Sequence, residues 1–233
     1  SPRFAELAGR MGFDVVWIDL EHATAGLATA EALCVATEAG GAIPLVRTWG
    51  FQRDHMLRAL EIGGRIVVVP MVNDADAARE VVRYGKYRPL GERGFYRFSR
   101  GLRFGRDPEW RSRADATTVL LPQVETVEAV KNLDAILGVE GVGGVFIGPG
   151  DLSADMGKPG QFDDAELVDT ICACIRRARD AGLHAGVLTP AASLIDKVVA
   201  AGADLCVFAS DISPIMAAWE DQLASFRKLC PQG

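Results

Sequence analysis

One motif recurs down this sequence: a helical stretch closes on glycine, a short apolar run follows, and the run stops at a charged or turn-forming residue. Gly12 precedes Asp14-Val15-Val16-Trp17-Ile18-Asp19, Gly40-Gly41 precede Ile43-Pro44-Leu45-Val46-Arg47, and Gly63-Gly64 precede Ile66-Val67-Val68-Val69-Pro70. Further runs lie at 118–125, 144–148, 184–188 and 204–208, making seven. They are almost wholly apolar rather than alternating, as parallel strands covered on both faces require, and each preceding glycine suits a helix C-cap.

Strands alternating with helices over 233 residues predict one α/β domain, residues 1–233. No GxGxxG follows any run, which disfavours a doubly wound dinucleotide fold. The expectation is a (β/α)8 TIM-type barrel. Its opening helix has no strand before it, so a first strand is expected upstream of Ser1. Helices are expected after Asn73-Asp74, over 126–137, and after Thr189-Pro190, where Thr189 would be the N-cap.

A net charge of -6 speaks against nucleic acid as a partner. No apolar run reaches the roughly 18 residues a membrane helix needs. Cys34, Cys172, Cys174, Cys206 and Cys230 lack paired spacing, so neither a disulfide framework nor a zinc site is indicated, and a cytoplasmic location is expected. Residues 1–10 read as an amphipathic helix rather than a secretory leader.

In a barrel the strand C-termini share one face, so residues that end each run converge there. These are Asp19, Glu21 and His22, then Arg47, Gln123 and Glu125, and the turn Gly148-Pro149-Gly150-Asp151. Glu125 and Asp151 form a carboxylate pair suited to Mg²⁺ or Mn²⁺, or else cap the helices that follow them. Arg47 suits the carboxylate and keto group of a 2-oxo acid, or pairs with Asp19 or Glu21. His22 is a candidate base, its imidazole oriented by Asp19, or a surface residue.

No lysine ends a run, which disfavours imine chemistry, and no GxSxG supports hydrolysis. Residues 88–113 interleave eight arginines with Phe95, Tyr96, Phe98, Phe104 and Trp110. A lid or subunit interface is expected of them, with a solvated basic loop or an RNA-binding surface as alternatives.

Read in order, Gly12-Phe13-Asp14 through Ile18-Asp19-Leu20-Glu21-His22, Val46-Arg47, Val69-Pro70-Met71-Val72, Tyr87-Arg88-Pro89-Leu90-Gly91-Glu92-Arg93-Gly94, Gln123-Val124-Glu125-Thr126 and Phe146-Ile147-Gly148-Pro149-Gly150-Asp151-Leu152-Ser153 resemble the HpcH/HpaI aldolases, relatives of the citrate lyase β-subunit. Residues 105–113 depart from that pattern. The resemblance implies retro-aldol cleavage of a 4-hydroxy-2-oxo acid to pyruvate and an aldehyde through a metal-stabilised enolate. Glu125 and Asp151 would ligate Mg²⁺ or Mn²⁺, with Co²⁺ or Zn²⁺ as substitutes. Arg47 would contact the keto oxygen, and His22 with Asp19 would move protons. Gln123, Gly150, Asp151 and Leu188 would seat the substrate. A homo-oligomer, hexamer or trimer, is also implied, with a C-terminal helix exchanged between partners. Cleavage of a CoA thioester and a non-catalytic scaffold are the alternatives.

Overall fold

The computed structural model describes residues 1–229, the side chains of 111 and 112 excepted, so Cys230 lies outside the described residues. Helix α1 (Pro2–Arg10) leads into β1 (Val15–Asp19), and α2 (Leu27–Gly40), β2 (Ile43–Arg47), α3 (Arg53–Glu61), β3 (Ile66–Val69) and α4 (Ala75–Gly85) continue the alternation. A 3₁₀ stretch (Arg100–Gly105) and α5 (Trp110–Ala116) precede β4 (Val119–Val124). Next come α6 (Val127–Lys131), α7 (Leu133–Leu137), β5 (Gly144–Ile147), α8 (Pro149–Asp155) and α9 (Ala165–Asp180). The chain continues through β6 (His184–Leu188), α10 (Ala192–Ala200), β7 (Leu205–Val207) and α11 (Ser213–Leu229).

All seven strands are parallel and hydrogen-bond in sequence order, β1 to β7. The result is a nearly closed (β/α)8-type barrel in which seven strands are present. No ladder joins β7 to β1, but the rings of Phe13 and Phe208 stack at 5.5 Å across that seam.

Two apolar layers follow from strands that are apolar on both faces. Inside the barrel, Leu45, Val68, Leu121 and Phe146 are buried with Val15, Trp17 and Val207 packed against them. Outside, Val46, Val67, Leu120, Val145 and Val187 meet the inward stripes of the helices. Phe146 pairs in register with Gly186, where an added Cβ would come within 2.5 Å of its ring. Glycine is the residue that lets the interior hold so large a ring at that level.

Three local expectations need correction. The helix expected over 126–137 is two helices meeting at Asn132, whose Nδ2 donates to the Asn73 carbonyl 2.8 Å away instead of prolonging a helix. Thr189 is not a cap, because its hydroxyl donates to the Val207 carbonyl and α10 starts after Ala191. The arginine-rich stretch is no lid over the strand C-termini: it drapes on α3, with Gly94 against Arg53 and Leu57 and Gly101 against the Leu60 carbonyl, and then leads into the N-terminal end of β4.

Candidate active site

Asp19 and Arg47 are the last residues of β1 and β2 and are partners in the register, so their side chains project side by side at the mouth. The Arg47 guanidinium grips Asp19 with both prongs, Nε to Oδ1 at 2.9 Å and Nη2 to Oδ2 at 2.5 Å, and its Nη1 lies 3.0 Å from Glu21 Oε2. A guanidinium has five N–H groups, so with two bonded to Asp19 and Nη1 facing Glu21 as an ion pair, at least two remain for a ligand. Beneath it lies Trp17, two residues before Asp19 on the same strand face, with the Arg47 carbon 5.1 Å from its ring centre. Burial alone would raise the Asp19 carboxyl, yet the hydrogen bonds and charge of Arg47 hold it below its ordinary range. Glu21 is pushed up, chiefly by burial, against the pull of the same arginine.

His22 does not take the partner expected of it. Arg47 occupies Asp19, which receives from His22 only the backbone N–H, at 3.4 Å, while the largely exposed imidazole lies 3.9 Å from Glu21 Oε2. The carboxylate beside this ring is therefore Glu21.

The second corner forms where β4 ends. Thr126 caps α6 through its hydroxyl, which accepts from the Ala129 N–H, so Glu125 is not needed as a cap and its side chain turns inward. Glu125 is 1% exposed. It accepts from the Met71 N–H at 2.7 Å and from the Gln123 amide. Met71 sits at φ 57°, a left-handed conformation that costs a non-glycine residue on the order of 1–2 kcal/mol and here aims its N–H at the acid. Burial drives the Glu125 carboxyl up to about 7 against those two hydrogen bonds, with the charges of Asp151 and Glu21 adding to the rise.

Gly148, directly after β5, closes over this pair. A Cβ there would lie 2.9 Å from both the Gln123 amide nitrogen and a Glu125 oxygen. Asp151 occupies the first turn of α8, whose N-cap is Gly148, so it does not cap the turn either. Its carboxylate accepts no hydrogen bond among the described residues, and it is close enough for its charge to register at both Glu21 and Glu125. Gln123 Oε1 is buried without a partner. Leu188 ends β6 and is 39% exposed at the same face. Gly150 is exposed, with open space where a Cβ would stand.

Sequence reasoning missed Met71 and Trp17. Trp17 was findable, because period-two alternation puts it on Asp19's face; the left-handed backbone at 71 left no such mark.

An α/β barrel with four acids and one guanidinium gathered at its strand C-termini is an enzyme scaffold with its reactive groups at the usual face. The chain belongs to the HpcH/HpaI aldolase/citrate lyase family, whose model matches residues 1–218. A hydroxypyruvate/pyruvate aldolase from Roseobacter denitrificans is 38% identical over 213 residues, spanning 91% of this chain and 83% of the relative. A 2-keto-3-deoxy-L-rhamnonate aldolase from Salmonella typhimurium is 37% identical over 226 residues, 97% of this chain and 85% of its own length. Among solved structures, an HpcH/HpaI aldolase from Desulfitobacterium hafniense superposes with a TM-score of 0.89 at 29% identity, covering 97% of this chain and 88% of that one. The chain is accordingly a carbon–carbon lyase, an aldolase.

Proposed function

We propose that this aldolase cleaves a 4-hydroxy-2-oxo acid to pyruvate and an aldehyde, and runs the reverse addition, with a divalent cation held by Glu125 and Asp151. The Glu125 carboxylate, 1% exposed, with two N–H donors and no cationic side chain beside it among the described residues, is the observation that carries the reading. Both named relatives act on 2-oxo acids.

The donor set fits Mg²⁺ or Mn²⁺. Among the described residues no three histidine, cysteine or acidic side chains converge on one point, but two carboxylates completed by water and substrate oxygens are what such a hard cation accepts. The unpartnered Gln123 Oε1 supplies a further acceptor at the same corner. When bound, the cation supplies Lewis-acid polarisation of the 2-oxo group.

The chain's own residues do the rest. The two free N–H groups of Arg47 donate to the keto oxygen as charge develops there, and Asp19, Glu21 and Trp17 hold the guanidinium still for that task. His22 takes the proton from the 4-hydroxyl. The C4–O bond becomes the aldehyde carbonyl as the C3–C4 bond breaks, its electron pair passes into the 2-oxo acid as an enolate, and a proton returned to C3 yields pyruvate. Gln123, Gly150 and Leu188 border the place for the substrate.

We place the chain in a homo-oligomer. Helix α11 has no buried residue, and Ile212 just before it with Met216, Trp219, Leu223 and Phe226 along it form an exposed apolar stripe at spacings of four and three. A second copy covering that stripe accounts for it.

The test follows the methyl protons of pyruvate by NMR in D₂O. Exchange is expected with added Mg²⁺ or Mn²⁺ and is expected to stop with EDTA. Absence of exchange in the metal-loaded protein overturns the enolate reading, and exchange indifferent to EDTA overturns the metal.

A further inference from the structure

The far end of the barrel holds a second concentration of charge that the aldol chemistry does not use. Ala42 and Arg65 immediately precede β2 and β3, so a cavity of about 400 Å³ that they line opens at the strand N-termini, away from the acids of the mouth. Its other walls are Glu38, Gly41, Arg100, Arg103 and Phe104. Three guanidiniums face one carboxylate here, in a chain whose overall charge is -6.

That single acid is shared. Arg100 donates to Glu38 Oε2, and Arg65 reaches Oε1 only at 3.9 Å while spending another N–H on the Gly101 carbonyl. Arg103 has no acidic partner among the described residues. Arg100 Nε is buried and donates to nothing. Burial lowers the Arg65 pKa, and the charges of Arg103 and Arg100 lower it further, as expected of crowded cations. The C-terminus of α2 also points here, but a helix end offsets only about half a charge. The backbone turns left-handed at two successive non-glycine residues, Arg103 at φ 51° and Phe104 at φ 56°, and both flank the cavity.

We propose that this cavity binds a phosphate dianion, free or as the phosphate of a small metabolite. Guanidinium forks match phosphate oxygens two at a time, and several planar forks converging on one space suit a tetrahedral dianion better than a single carboxylate. The volume is in the range of small-ligand sites and exceeds what one phosphate fills.

Calorimetric titration at constant ionic strength, with inorganic phosphate and separately with glycerol 3-phosphate, tests the site. Saturable binding is expected to both; tighter binding of the ester assigns the site to a phosphorylated metabolite, and equal binding assigns it to free phosphate. Arg103→Gln, which breaks no ion pair, should weaken binding roughly tenfold. Glu38→Gln should act in the opposite direction and tighten it several-fold, because the competing carboxylate is gone, a sign that general destabilisation does not produce. Arg47→Lys, at the other end, should leave it unchanged. No saturable binding, binding insensitive to Arg103→Gln, or binding lost in Arg47→Lys overturns the proposal, and none of these bears on the aldolase reading.

Discussion

At the ends of β1 and β2, two carboxylates share one guanidinium, and the ion pair is complete without any ligand. At the end of β4, a carboxylate that is more deeply buried has two N–H donors and, among the described residues, no cationic side chain beside it. The first corner already holds its cation, which fixes Arg47 in place and leaves it two N–H groups to offer. The second keeps an unmet demand for positive charge. Under the proposed function, the contrast separates the two tasks of a metal-assisted aldolase: the first corner would receive a developing negative charge, and the second would recruit a cation.

The largest effect is expected where the demand is removed. Glu125→Gln should lower divalent-dependent exchange of the pyruvate methyl protons by roughly a thousandfold, the scale of several kcal/mol of lost Lewis-acid assistance. The same variant should be more stable than the parent when both are metal-free above pH 7, since a buried charge has gone. Denaturant unfolding in EDTA reads that gain. Full exchange activity in the variant sinks the ligand assignment.

Arg47→Met breaks the other corner and should do the reverse. Two part-buried acids lose their cation, so stability should fall by on the order of 3 kcal/mol, and exchange should fall by roughly a hundredfold with metal binding retained. If the variant loses metal affinity as well, the two corners are not separate devices.

Proton linkage gives the next contrast, in the metal-free protein. The Glu125 carboxyl stands at about 7 against an ordinary value of 4.5, so the protonated form favours the fold: its contribution is complete below about 4.5 and is lost as pH rises through about 7. Asp19 is held below its ordinary 3.8, so its contribution is present above 3.8 and is lost as pH falls through the lowered value. Unfolding curves in EDTA across pH 3 to 8 should show stability declining at both ends. The upper decline, on the order of 3 kcal/mol, should vanish in Glu125→Gln. A decline that persists there assigns the linkage to another group.

The strand runs and their terminal residues were legible in the sequence because burial on both faces writes continuous apolar stretches, and the residue that ends each stretch is on the page. Those terminal residues alone put Asp19, Arg47, Gln123, Glu125 and Asp151 at one mouth. What was illegible depended on register and on tertiary backbone. Sequence offered Asp19 two partners, Arg47 and His22, and the choice falls to Arg47 because β1 and β2 align those two residues, which spacing within one strand does not decide. Helix starts slipped for the same reason: the Thr189 hydroxyl found a carbonyl on β7, which no local pattern announces.

Met71 is the sharpest case, and it carries the smallest predicted effect. Only its backbone N–H touches Glu125, while its side chain is half exposed and its φ of 57° is unfavourable for any residue with a Cβ. Met71→Gly keeps the donor and relieves the strain, while glycine loses more chain entropy on folding, so the net change in stability should be within about 1 kcal/mol of zero. Exchange activity should stay within about twofold of the parent, since no interaction at the β4 corner changes. A large loss in this variant means that the methionine side chain itself meets the substrate at the mouth. The second corner would then owe its selectivity to an apolar wall as well as to its unmet charge.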